Sequence, residues 1–145
     1  QHITKADALV MVAAVADFRP SATTDSKIKK STGGLDKIDL IENPDILREV
    51  VDLKKPNFSI IGFAAETGDT KQSALDYALT KLANKGVDAL VLNQVGKDLG
   101  FESDENAVTI VSPHFSTITV ETTSKEKIAE TVCNVVKSLS LLINK

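Results

Sequence analysis

Three lysines, Lys27, Lys29 and Lys30, close the stretch AAVADFRPSATTDSKIKK (residues 13–30), shortly after an apolar run that ends on Asp17. Cations on a polar loop can fold over a polyphosphate and neutralise charge that develops at phosphorus. An ordinary solvated charge run has the same composition, and the run alone does not decide between them. Asp17 poses a similar choice: a carboxylate at the end of an apolar strand needs donors, a metal or a ligand to offset its lost hydration, or else it caps the next turn. Lys81 and Lys85 stand four apart on one face near the end of a helical stretch, where a bound anion or the helix dipole would account for them. Asn43-Pro44-Asp45-Ile46 reads as a helix start, which also aims free N–H groups at an anion. Phe63 is the second residue of GFAAETGDT, at the end of a third apolar run, and an aromatic there is core by default. Asn93 closes a fourth.

Several chemistries lack their residues. There is no G-x-x-x-x-G-K-[ST], no G-x-G-x-x-G and no Cys/His cluster with metal spacing. The two histidines, His2 and His114, fall in a terminal segment and an expected hairpin turn, so a Ser/His/Asp hydrolase and a zinc site are poorly supported. What remains is an anion site built from scattered lysines, helix starts and polar strand ends.

These residues need elements to carry them. The apolar run over residues 8–16 suits a strand buried on both faces, with a short buried helix as the competing reading. Residues 18–36 hold Pro20, Gly33 and Gly34 without apolar periodicity and read as a long mobile loop. Residues 37–41 read as a short strand. Asn43 is the expected N-cap of the next helix, with Pro44 at its first position, Asp45 at its positive end, and Ile46, Leu47, Val50 and Val51 on its buried face. Residues 58–63 are a buried strand, and residues 74–83 repeat apolar residues at helical spacing until Gly86 stops them. Residues 87–92 form another buried strand. Residues 107–112 and 116–121 look like a hairpin, and Thr123-x-x-Glu126 is a capping-box pattern before a last helix whose stripe runs from Ile128 to Ile143. The sum is a Rossmann-like α/β domain in three layers, with a mainly parallel sheet made mixed by the C-terminal hairpin. In such sheets ligands gather at the carboxyl ends of the strands, so Asp17, Asn43, Phe63 and Asn93 should share one edge.

Bulk composition agrees. The 145 residues suit one domain, and a chain of this length buries roughly 68–70% of its unfolded surface. A net charge of −3 argues against a nucleic-acid or anionic-membrane surface, so any anion site must be local. A single cysteine, Cys133, allows no internal disulfide, and no apolar run reaches the ~18–20 residues that cross a bilayer, so a cytoplasmic location is expected. Gln1 is not an initiator methionine, and residues 1–145 read as one domain that lacks an N-terminal segment.

The blocks AAVADFRP, KIKK, NPDI, GFAAET, KLANKGVDALVLN and GFESDENAVTIV occur in this order across nearly the whole chain. In them the sequence resembles phosphopantothenate-cysteine ligase, the synthetase half of the bacterial two-part coenzyme A biosynthesis flavoprotein. The resemblance implies a ligase that uses CTP to activate the carboxylate of 4'-phosphopantothenate as an acyl-cytidylate and then joins it to the amine of cysteine. It places Ala13 and Asp17 on the nucleotide, Asn43, Pro44, Asp45 and Ile46 around it through the helix start, and Phe63 against the base. Lys27 would sit on a mobile flap and act in activation, Lys81 and Lys85 would complete nucleotide binding, and Asn93 matches the family's Asn after the fourth strand. Mg2+ on the phosphates, a homodimer with a contribution from the C-terminal hairpin, and a fused or associated phosphopantothenoylcysteine decarboxylase are implied partners. Two features depart from the family: the upstream Gly-rich turn with its Asn is absent, and Gln94 stands where Asp is common. A nucleotide-binding module of the same fold without complete ligase activity is the alternative, as is a Rossmann-like domain for another small ligand.

Overall fold

The densest apolar runs form the middle of the sheet. The computed structural model describes residues 3–27, 37–53, 55–66, 73–94 and 104–143. Along the chain they form β1 (Ala8–Met11), β2 (Phe18–Pro20), β3 (Leu40–Glu42), α1 (Ile46–Asp52), β4 (Ser59–Glu66), α2 (Ala74–Lys85), β5 (Ala89–Gln94), β6 (Glu105–Val111), β7 (Ile118–Ser124) and α3 (Lys125–Ile143). Five strands make one sheet in the order β1-β4-β5-β6-β7, parallel from β1 to β5 and antiparallel from β5 to β7.

Side-chain alternation divides each central strand between two cores. Ile60 and Ala64 of β4, with Leu90 and Leu92 of β5, pack under Val50 of α1 and Ala78 and Leu82 of α2. Ile61 and Val91 point the other way, with Val108 and Ile110 of β6, onto Ile128, Val132, Val135 and Leu139 of α3. Burial on both faces is why these strands read as unbroken apolar runs. Each fully buried Ile or Leu contributes about 1.5–3 kcal/mol relative to exposure. Packing is close at Gly62, where a Cβ would stand 3.1 Å from both Leu47 Cδ2 and Leu90 Cδ1, so both side chains would have to shift by a few tenths of an ångström. Gly86 ends α2 at φ 71°, the left-handed cap that its sequence position predicts.

Several expectations are corrected. The first strand stops at Met11 instead of continuing to residue 16. Its last partner is Gly62, after which β4 runs on beside β5 alone, and residues 12–17 are exposed. Among the described residues β1 pairs only with β4, so Val10 is 38% exposed rather than buried on both faces. The loop over residues 18–36 is partly ordered by pairing, since Phe18–Pro20 and Leu40–Glu42 form an antiparallel ribbon. The strand at residues 37–41 therefore belongs to that separate ribbon and not to the parallel sheet. Asp45, not Asn43, caps α1, accepting from Arg48 N–H at 3.1 Å, which leaves Pro44 outside the helix. At α3, Ser124 rather than Thr123 accepts the N–H of Lys127, at 3.3 Å. Residues 28–36, with Lys29 and Lys30, and residues 67–72, which continue the GFAAET stretch, lie outside the described residues. No helix among the described residues is long and apolar enough to cross a membrane.

At the opposite end of the sheet Asp88 is buried, at 5% exposure, and fully engaged. Its Oδ2 accepts from Ile60 N–H at 2.8 Å, its own N–H donates to Ile60 O at 2.9 Å, and His114 Nε2 lies 3.4 Å from Oδ1. His114 is thus accounted for by a structural contact. Asp88→Ala leaves the Ile60 N–H buried without an acceptor, so urea denaturation should show a loss of about 1–3 kcal/mol in unfolding free energy.

Candidate functional site

Three stretches of chain and one helix converge at the C-terminal ends of β1 and β4, around a cleft of about 340 Å3. Residues 13–17, following β1, form one wall. Residues 43–47, from the end of the ribbon into α1, form a second. Residues 63–65 of β4 line the floor, and Lys81 and Lys85 of α2 reach in from the side. The cleft therefore gathers Ala13, Asp17, Asn43, Pro44, Asp45, Ile46, Phe63, Lys81 and Lys85, although Asn43 arrives from a strand outside the main sheet.

Local physics explains each wall. The alanines at 13, 14 and 16 carry no bulk, so backbone itself faces the cleft. Asn43 N–H donates to Asp17 O at 2.7 Å and its side-chain Nδ2 donates to Ala16 O at 2.7 Å, which ties the second wall to the first. Arg19 was not singled out by sequence reasoning, yet its Nη1 donates to Asn43 Oδ1 at 2.8 Å and to Glu42 O at 3.0 Å. The only signal for it was its place in the AAVADFRP block. Arg48 Nη1 donates to Asn84 O at 2.7 Å and Lys85 pairs with Asp45, so α1 is braced against the end of α2.

Sequence reasoning offered Lys81 and Lys85 as anion ligands or as dipole compensation. Lys85 lies in the last turn of α2 and also neutralises the N-cap carboxylate of α1. That hydrogen bond from Lys85 is the main reason the Asp45 carboxyl is held below its ordinary range; partial burial opposes it, and the Arg48 N–H adds to it. In the lining, two lysines stand against two aspartates, Asp17 and Asp45.

Two candidates lie elsewhere. Lys27 is exposed and is not in the lining. Asn93 opens instead into a second, mainly apolar pocket of about 430 Å3, with Val10, Val12, Asn106 and residues of α3. Parity is the reason, because β5 turns Leu90 and Leu92 toward α1 and α2, and hence Val91 and Asn93 toward α3. Phe63 shares that α3-side packing and borders both hollows, so it is at once a core contact and a cleft wall. Among the described residues no three of His, Cys, Asp and Glu gather as a metal site.

This geometry can be set beside known proteins. Residues 1–139 match the family described as the DNA/pantothenate metabolism flavoprotein C-terminal domain. The chain belongs to this family. It is 48% identical over 111 residues to the coenzyme A biosynthesis bifunctional protein CoaBC of Mycobacterium tuberculosis (strain ATCC 25618 / H37Rv), covering 73% of this chain and 27% of that one. To the protein of the same name from Bacillus subtilis (strain 168) it is 43% identical over 105 residues, covering 72% and 24%. A crystal structure of the C-terminal domain of such a CoaBC protein superposes with a TM-score of 0.67 at 26% identity, covering 95% of this chain and 59% of that one. The chain thus spans about a quarter of the length of the curated relatives it matches. The flavoprotein C-terminal domain family accounts for the fold: a mixed five-stranded sheet with a parallel core and helices on both faces.

The Asp45–Lys85 pair gives a prediction with a defined sign. A carboxyl depressed in the folded state adds stability above its unfolded value, near 3.8, and that stability disappears as pH falls through the folded value. Lys85→Ala should raise the Asp45 midpoint in a carboxyl NMR titration, and the stability gap between wild type and variant should narrow below about pH 4. Both side chains are a third or more exposed, so the gap at neutral pH should be small.

Proposed function

We propose that this chain supplies the nucleotide-binding cleft of a phosphopantothenate-cysteine ligase in coenzyme A biosynthesis, a cytoplasmic activity driven by CTP. The observation that carries the reading is the convergence of residues 13–17, 43–46, Phe63, Lys81 and Lys85 on one hollow. Ala13 and Asp17 would contact the nucleotide, residues 43–46 would flank it, and Phe63 would pack on the base. Lys81 and Lys85 would face the phosphates, with Lys85 divided between them and Asp45. A carboxylate oxygen of 4'-phosphopantothenate attacks the α-phosphorus, a P–O bond breaks to release pyrophosphate, and an acyl-cytidylate forms. The cysteine amine then attacks the acyl carbon, CMP leaves, and the amine proton goes to solvent or base.

Charge balance says what else this chemistry needs. Two anions about 4 Å apart repel by roughly 4 kcal/mol at an effective dielectric near 20, and the lining's two lysines are offset in number by its two aspartates, one lysine being paired directly with Asp45. Further cations must come from outside it. Lys27, with the lysines that follow it, is the proposed source on the protein. Mg2+ is the second, and the donor set fits it, because a hard ion held mainly by phosphate oxygens and water needs only one carboxylate such as Asp17. When bound, Mg2+ would withdraw charge from the phosphate oxygens.

In this reading the cleft serves activation of the carboxylate. A phosphopantothenoylcysteine decarboxylase half, fused or associated, would take the product onward, and the relatives' bifunctional name supports a second activity. A homodimer is part of the proposal, and its support lies in the ribbon more than in the β6–β7 hairpin, since Phe18, Leu40 and Ile41 are each more than 40% exposed. Sedimentation equilibrium should give twice the chain mass, and a monomer at every concentration would refute the dimer.

Isothermal calorimetry with CTP and magnesium is the direct test. Wild type should bind, and Lys81→Ala should weaken binding by about tenfold, the 1.4 kcal/mol expected of a charge-assisted contact. An undetectable heat, or an unchanged constant in the variant, would count against the cleft. Lys27→Ala should slow formation of the acyl-cytidylate far more than it weakens CTP binding, as a group acting in the transition state requires.

A further inference from the structure

The two cleft walls, residues 13–17 and 43–46, meet just past the last β2–β3 pair, Phe18 with Glu42. One backbone bond, from Asn43 N–H to Asp17 O, continues the ribbon by a single step. The bond from Asn43 Nδ2 to Ala16 O reaches deeper into the wall, and it forms only if the amide presents its NH2 end to that carbonyl. An asparagine side chain can turn either way, so something must choose. Two neighbours do: the Ala16 carbonyl can only accept, and Arg19, whose guanidinium has donors and no acceptor, must face the amide oxygen. Its Nη1 holds Asn43 Oδ1 at 2.8 Å and Glu42 O at 3.0 Å, which fixes both the amide and the backbone carbonyl just before it.

We propose that Arg19 is a positioning residue for the cleft: it sets the orientation of the Asn43 amide, and through Asn43 it sets the placement of the wall at residues 13–17. Arg19 is exposed and absent from the lining, so its effect on a ligand is indirect. One nitrogen makes both bonds, so lysine, with three donors on its Nζ, replaces it in part, limited by a compact ammonium on a flexible stem that is less pre-organised than a guanidinium. The effect on nucleotide rests on the CTP reading of the cleft, whereas the hold on Asn43 does not.

The test has two arms. In the protein without nucleotide, Arg19→Ala should lose the solvent-exchange protection of the Asn43 side-chain NH2, seen by NMR, and Arg19→Lys should keep part of it, while amides of α2 and α3 keep theirs. With CTP and magnesium, Arg19→Ala should raise the dissociation constant about tenfold with the thermal midpoint within about 2 °C of wild type. The double variant Arg19→Ala/Asn43→Ala should bind no more weakly than Asn43→Ala alone, because one residue acts through the other. Unchanged protection at Asn43 in Arg19→Ala, or additive losses in the double variant, would each overturn the proposal. Should wild type fail to bind CTP, the nucleotide reading falls and the exchange arm alone decides whether Arg19 holds Asn43.

Discussion

Burial of β4 and β5 on both faces is the constraint from which the rest follows. A strand with apolar side chains pointing both ways must be covered by helices on both sides, and helix-connected neighbours run parallel. β1, β4 and β5 do so, with α1 and α2 on one face and α3 on the other. Parallel strands bring their C-terminal ends to one edge of the sheet. Segments leaving that edge have nowhere to lie but beside one another, which makes the cleft a consequence of the core.

The cleft's electrostatics follow from how its walls are braced. Asp45 is spent on capping α1 and on Lys85, and Asn43 is spent on Ala16 and Arg19. Side chains that look like ligands in the sequence therefore also carry structure. This dual use limits how much positive charge the lining itself can offer an anion, and it explains why a triphosphate here would depend on cations brought from beyond the walls. Exposed pairs of this kind contribute little to global stability. Their value is in fixing local geometry.

Much of the architecture was legible because its signals are local. The two central strands announced themselves as unbroken apolar runs, α2 by its periodicity and by Gly86, and α3 by a long apolar stripe. The misreadings share a cause. Asn43 read as the cap of α1, but Asp45 takes that place while Asn43 is engaged across the ribbon by residues more than twenty positions away. Likewise the apolar stretch after Met11 has strand composition without a strand's partner, since β4 has by then moved on to pair with β5 alone.

By itself, the sequence determined that the two central strands must be buried, that α2 stops at Gly86, and that any anion site had to be local in a chain of net charge −3. Composition and periodicity act over a few residues, so they survive without knowledge of neighbours. Tertiary structure alone decided that Asn43 reaches the cleft from a separate ribbon, that Asn93 faces the α3 side, and that Arg19 stands behind Asn43. Those outcomes depend on strand register and on side-chain parity across the sheet, where a shift of one residue reverses every face.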